Sequence, residues 1–315
     1  MNIVMTFDDG YAPHAAVVMV SLCCHNPGSH VFYVVSRYLE PATLARLTDL
    51  LRNYDCTLEY IVFADRQVDG FPIGKGTAND YVKVETYFRL FLSDLLPPSV
   101  NKVLYLDSDI VVNGSVNELW EWEFGQGKCM AGVEDKYRNT RRRPKHLGYP
   151  LADSYFNAGV LVIDMNRLRR CYSVSHAIDY IREKGNEIIF HDQDVLNGLL
   201  HGCKEFLPIK FNALDYYYMK GAVFPPRYNS QREDLLYPVV IHYSGRDKPW
   251  MQTCRHPFRL LYYKYLNMTP WQGVQPVSGS PLGWWMVFHQ RLNELLNIRH
   301  YTFDVAYNEA VLPYL

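Results

Sequence analysis

The chain has 315 residues, 48% hydrophobic and 21% charged, with 32 basic and 33 acidic side chains and a formal net charge of −1. This is ample for a sizeable core in one large or two fused globular domains, and near-neutrality gives no long-range pull toward nucleic acid or an anionic membrane. Seven cysteines, at 23, 24, 56, 129, 171, 203 and 254, are odd in number and form no C-x-x-C pair, which argues against a disulfide framework or structural zinc and suits a reducing cytosol.

Residues 2–7 read as a buried strand ending in Asp8-Asp9-Gly10-Tyr11. Asp8 and Asp9 arrive before an apolar segment can form, so no signal peptide is expected. Residues 12–24 are mostly apolar, too short to span a bilayer, and predict a buried helix that stops near Pro27-Gly28. A strand over 30–36, a helix over 40–54 with Leu44, Leu47, Leu51 and Tyr54 on one face, and a strand over 57–63 follow. Such alternation means a parallel sheet covered by helices. Residues 65–79, punctuated by Gly70, Pro72, Gly74 and Gly76, predict a loop, and 81–95 a helix closed by Pro97-Pro98.

Residues 103–106 form a short continuous apolar run, the pattern of a strand buried on both faces, and Asp107 and Asp109 stand where it should end. In extended chain these two carboxylates project to one side and can reach one hard divalent cation. Ligands of open parallel sheets lie beyond the carboxyl ends of the strands, so the cation's partner is expected to be a phosphorylated ligand. The other D-x-D, Asp192 and Asp194, lies in a predicted helix, where positions i and i+2 point apart.

Residues 125–150 carry Lys136, Arg138, Arg141, Arg142, Arg143 and Lys145 among turn formers. They read as a positive loop, either solvated or a mobile cover for an anionic ligand. A strand over 156–164 enters through Asn157, Ala158 and Gly159, small enough for close backbone approach to a ligand. The run 191–198 opens a helix with Asp192 and Gln193 in its first turn. A strand at 238–242 delivers His242 ahead of Gly245 and Lys248; histidine can join two carboxylates on Mn2+, and lysine can neutralise a phosphate. A helix over 257–266 precedes an irregular tail with Trp271, Trp284, Trp285, Phe288, Tyr301 and Phe303.

Leu106-Asp107-Ser108-Asp109, Phe156-Asn157-Ala158-Gly159, His191-Asp192-Gln193-Asp194-Val195-Leu196-Asn197 and the stretch from His242 to Trp250 occur in the order seen in glycosyltransferase family 8. The sequence resembles the bacterial lipopolysaccharide galactosyl- and glucosyltransferase branch over residues 1–250, the tail being uncovered. The resemblance implies an α/β GT-A fold, Rossmann-like with a mixed, mostly parallel sheet flanked by helices. It also implies a UDP-sugar donor, Mn2+ with Mg2+ as second candidate, and retention at the anomeric carbon. By matched position, Asp107, Asp109 and His242 are the implied metal ligands, and Asp8 and Tyr11 the uracil contacts. Arg89, Asp192 and Gln193 are implied at the sugar, with Asn157 and Ala158 lining its pocket and Gly245 and Lys248 holding the diphosphate. Gly10 stands where galactosyltransferase relatives tend to carry a polar side chain, which touches one base contact and not the donor class.

The residues suit that chemistry. Departure of UDP needs positive charge where negative charge develops. Gln193 is neutral and a poor nucleophile, so a front-face reaction is preferred to a covalent glycosyl enzyme, with the amide oxygen stabilising positive charge. Two other readings stand beside this one: a phosphatase or phosphotransferase of the haloacid-dehalogenase kind with Asp107 as nucleophile, and a non-catalytic sugar-nucleotide binder. The expected organisation is a catalytic domain over 1–268 and an extension over 269–315. The acceptor is expected to be a glycan or glycolipid, the location cytoplasmic. The tail's rings, with Arg291, Arg299 and His300, suit either packing on the domain or peripheral contact with the inner membrane face.

Overall fold

The computed structural model describes residues 1–64, 66–73, 83–136, 140–219, 222–245, 248–254 and 256–277, with residues 285, 288, 292 and 296 beyond them. The strands are Asn2–Thr6 (β1), Val31–Ser36 (β2), Thr57–Val62 (β3), Lys102–Leu106 (β4), Ile110–Val112 (β5), Met130–Glu134 (β6), Phe156–Asp164 (β7), Lys204–Phe206 (β8), Ala213–Leu214 (β9) and Val240–His242 (β10). The helices are Ala12–His25 (α1), Pro41–Arg52 (α2), Leu92–Leu95 (α3), Asn117–Trp120 (α4), Arg143–Leu147 (α5), Met165–Cys171 (α6), Val174–Lys184 (α7), His191–Leu199 (α8) and Arg259–Leu266 (α9).

Among the described residues the main sheet has seven strands in the order β3-β2-β1-β4-β7-β6-β8, and a small sheet has the order β5-β10-β9. β1, β2, β3 and β4 run parallel, whereas β7 is antiparallel to both β4 and β6. The expected α/β, mixed and mostly parallel arrangement is therefore present. α1 is buried almost all round, as its apolar run predicts: Ala15, Ala16, Val17, Val18, Met19, Val20 and Leu22 are fully enclosed between the main sheet, the small sheet and α9. Each large aliphatic side chain among them contributes about 1.5–3 kcal/mol on leaving water. Asn26 ends the helix and ties it to the next layer, donating to the carbonyls of Leu22 (3.0 Å) and Gly114 (3.3 Å) and accepting from Val116 N (2.8 Å).

Two strand relations place the candidate site residues. β4 ends where β7 begins, so Asp107 N donates to Gly159 O at 2.8 Å, bringing the Asn157-Ala158-Gly159 entry beside the acidic pair. The chain then leaves the main sheet for β5, whose antiparallel register sets Ile110 opposite His242. Tyr243 N donates to Asp109 O at 3.0 Å.

Several expectations need correction. The stretch 125–150 is not a simple loop: all five residues of β6 are buried, and α5 follows. β6 was invisible as a strand because five residues with an interior glycine carry little periodic signal. Arg143 is no solvated loop residue but is 3% exposed, while Arg141, Arg142 and Lys145 are exposed. The helix expected over 81–95 is 3-10 over Val84–Phe91 before it becomes α3. In the tail, Trp271 packs partly buried against the core, and Val277 N donates to Trp250 O at 2.8 Å. Trp285 and Phe288 are exposed. Asp65 and residues 74–82 of the predicted loop and helix, with Arg138, Trp284, Arg291, Arg299, His300, Tyr301 and Phe303, lie outside the described residues.

Candidate active site

A cavity of about 710 Å3 opens beyond the carboxyl ends of β1 and β4 and is lined by Asp8, Tyr11, Arg89, Asp107, Asp109, Asn157, Ala158, Asp192, Gln193, His242, Gly245 and Lys248. Every site residue expected from sequence therefore meets in one place. The ligand atoms of Asp107, Asp109 and His242 lie within 4.8 Å of one another. Two carboxylate oxygens and one imidazole nitrogen form a donor set that suits a divalent cation such as Mn2+.

The cradle is shaped by an absent side chain. A Cβ on Gly159 would stand 2.3 Å from His242 Cε1 and 2.8 Å from Asp107 Oδ2. Only glycine leaves room there. Asp107 is oriented through its other oxygen: Oδ1 accepts from Arg89 Nη2 (2.7 Å) and from Tyr105 OH (3.0 Å). Tyr105 OH in turn meets Thr6 Oγ1 at 2.8 Å. Asp109 faces Lys248 Nζ at 2.5 Å and His242 Nε2 at 3.3 Å. Burial pushes its carboxyl up, but Lys248 and His242 more than offset this and hold it well below the usual carboxylate range.

Arg89 connects the two ends of the cavity. It is 8% exposed, spans Asp107 and Asp192 Oδ2 (2.9 Å), and donates to Ala158 O at 2.6 Å. Burial disfavours its charge, but the two carboxylates outweigh that and bind its proton more tightly than usual. Asp192, which also accepts from Thr86 Oγ1, has its carboxyl raised by burial, with Arg89 opposing. At the end of the cavity beside β1, Asp8 Oδ1 caps the 3-10 turn Asp9–Tyr11 by accepting from Tyr11 N at 3.1 Å. Lys83 pairs with Asp8 and lies 5.5 Å over the Tyr11 ring.

The two carboxylates of the second D-x-D do part company. Asp194 is fully buried and accepts from Arg143 Nε (3.0 Å), Arg143 Nη2 (2.6 Å), Tyr155 OH (2.7 Å), Ile189 N (2.8 Å) and Phe190 N (2.8 Å). With its lone pairs filled, it anchors the entry of α8, while Asp192 faces the cavity. Gln193 departs from expectation. Its Oε1 accepts from Ala158 N (2.9 Å) and Asn157 Nδ2 (3.1 Å), so the amide oxygen is turned inward and the NH2 is left toward Asp135 Oδ2 at 3.4 Å. A peptide N–H can only donate, which rules out the opposite orientation. Asp135, Thr86, Lys83, Asp215 and Tyr216 also line the cavity, although no sequence motif marked them.

The sequence profile described as glycosyl transferase family 8 matches residues 2–254. General stress protein A of Bacillus subtilis (strain 168) is 27% identical over 284 residues, 87% of this chain and 96% of that protein. Lipopolysaccharide 1,2-glucosyltransferase of Escherichia coli (strain K12) is 27% identical over 294 residues, 85% of each. A crystal structure of the galactosyltransferase LgtC with donor and acceptor sugar analogs superposes with a TM-score of 0.77 at 26% identity, covering 86% of this chain and 96% of that one. A phosphotransferase built on Asp107 is thereby set aside. The acidic pair at the β4 terminus, the β7 entry, the first turn of α8 and His242 all fall within the matched span, and the chain belongs to glycosyl transferase family 8.

Proposed function

We propose that the chain transfers a hexose, galactose or glucose, from its UDP-sugar to a glycan or glycolipid acceptor with retention at the anomeric carbon, forming an α-linkage. The observation that carries this reading is the meeting of Asp107, Asp109 and His242 with Arg89, Asp192 and Gln193 in one cavity. Asp107, Asp109 and His242 would hold Mn2+, or Mg2+ in its place, and the bound cation supplies positive charge against the departing diphosphate. Lys248 supplies the protein's own positive charge there, with Gly245 allowing close approach, and Asp8 and Tyr11 take the base. Arg89 and Asp192 bind sugar hydroxyls, Asn157 and Ala158 form the pocket wall, and Gln193 faces the reacting carbon.

No side chain in this reading serves as the general base an inverting enzyme requires opposite the leaving group. Gln193 presents an NH2, which orients hydroxyls by donating to them and cannot take up a proton at neutral pH. The acceptor proton then passes to the departing UDP on the same face. The E. coli relative carries lipopolysaccharide in its name, which supports a lipopolysaccharide or similar cell-surface acceptor. Among the described residues no helix is long and apolar enough to cross a membrane. A cytoplasmic enzyme, with residues 1–268 as the catalytic domain and 269–315 reaching the inner membrane face, fits the exposed Trp285 and Phe288. Truncation after residue 268 should then abolish liposome binding; unchanged binding would overturn that part.

Proton NMR of the first product formed from UDP-galactose or UDP-glucose tests the main reading. A small anomeric coupling is expected, and turnover should disappear when a chelator removes the divalent cation. A large coupling would show inversion and end the proposal.

A further inference from the structure

The cation end and the sugar end of the cavity are joined by buried amides. Two backbone donors determine how each is oriented. Ala158 N donates to Gln193 Oε1 (2.9 Å) and Gly159 N to Asn157 Oδ1 (2.9 Å), so both acceptor atoms must be oxygens. Asn157 therefore turns its NH2 to Gln193 Oε1 (3.1 Å), and its oxygen also accepts from Asn212 Nδ2 at 2.9 Å. With its nitrogen so committed, Asn212 has only its oxygen for His242 Nδ1, 2.9 Å away. His242 Nδ1 must then carry the proton, which leaves the lone pair on Nε2, the atom 3.3 Å from Asp109 Oδ1. Every donor in this row points the same way, from His242 through Asn212 and Asn157 to Gln193.

Asn212 is fully buried. It follows the 3-10 turn Ile209–Phe211 and leads into β9, whose parallel pairing with β10 sets Leu214 opposite His242. Backbone pairing thus delivers it to the back of the imidazole, on the side away from the cation.

We infer that Asn212 is a positioning residue that couples the two ends of the site: it sets the tautomer and ring orientation of His242 for the cation and, through Asn157, the amide orientation of Gln193 for the sugar. This rests on the reading of the cavity as a divalent-cation and UDP-sugar site. A histidine ligand commonly depends on such a partner for its affinity, and here the same side chain also acts on the Gln193 amide through Asn157.

Two substitutions separate the ends. Asn212→Asp keeps an acceptor for His242 Nδ1 but sets a carboxylate oxygen against Asn157 Oδ1. Mn2+ affinity, read by electron paramagnetic resonance of the free ion, should stay within about threefold of wild type, while kcat with UDP-galactose or UDP-glucose falls about tenfold or more. Asn212→Leu removes both bonds, and Mn2+ affinity should drop about 10- to 100-fold. Asn157→Ala should resemble Asn212→Asp, and the double substitution should cost no more than either alone. These last variants decide the matter even if the leucine substitution fails to fold. Wild-type Mn2+ affinity in Asn212→Leu, or additive losses in the Asp and Ala pair, would overturn the inference alone. A wild-type chain that binds no Mn2+ removes the functional reading above and this inference with it.

Discussion

Gly159→Ala adds a single methyl group at the most confined point of the site. Its Cβ would stand 2.3 Å from His242 Cε1, 2.8 Å from His242 Nδ1 and 2.8 Å from Asp107 Oδ2, whereas carbon atoms sit comfortably at about 3.5–4.0 Å. The imidazole would have to retreat by more than about 1 Å, against a tolerance of about 0.2 Å in metal–ligand distance. It has little freedom to do so, because His242 is 3% exposed and bonded behind to Asn212. The expected result is a loss of Mn2+ affinity of at least about 100-fold and of transferase activity with it, for an overpacking cost in stability of about 1–3 kcal/mol. Mn2+ titration by electron paramagnetic resonance, beside a urea unfolding curve, separates the two effects. Gly202→Ala, where a Cβ would meet nothing within 4 Å, is the control. Wild-type Mn2+ binding by Gly159→Ala would refute the assignment of Asp107 and His242 as joint ligands.

Arg143→Met leaves the fully buried Asp194 with Tyr155 OH and two backbone donors in place of an ion pair; it should cost about 3–5 kcal/mol in urea unfolding, and less than about 1 kcal/mol would show the pair to be incidental. Lys204 is the pH probe: burial, offset only in part by Asp153 and Glu134, pushes its ammonium down to about 7 from 10.5. Between those values the unfolded chain holds the proton and the folded chain does not, so the penalty is full below pH 7 and stability recovers as pH rises toward 10.5, by at most about 1.4 kcal/mol per pH unit. Lys204→Met should abolish that rise between pH 7 and 9.5, and parallel pH profiles would exclude it. Gln193→Ala should lower kcat about 10- to 100-fold while UDP affinity by calorimetry stays near wild type, since Asp8 and Tyr11, the proposed base contacts, lie elsewhere; equal losses in both would move Gln193 out of the proposed sugar site.

What could be read from residues alone divides along a physical line. The meeting of Asp107, Asp109 and His242 was legible because each stands at or just beyond the end of a short apolar strand, and strand ends in such folds converge on a crevice. Arg143 was misread because a cluster of basic residues looks solvated until its partner, Asp194, arrives from 51 positions away. Asn212 has no motif; only the β9–β10 pairing brings it behind His242. The orientation of Gln193 was likewise beyond reach, since it depends on one backbone N–H, that of Ala158. Charge and periodicity show which residues border a cavity, and hydrogen-bond directions inside it depend on the finished backbone.

The excursion of the chain between β4 and β10 also bears on how the molecule comes into being. Lys248 meets Asp109 across 139 positions of sequence, and His242 is brought to the acidic pair only when β10 docks beside β5. A nascent chain synthesised as far as β7 can already pair β1, β2, β3 and β4, yet it has two of the three proposed cation ligands and no lysine against Asp109. Loop closure over such a span comes late in folding, so during synthesis the scaffold precedes its chemistry.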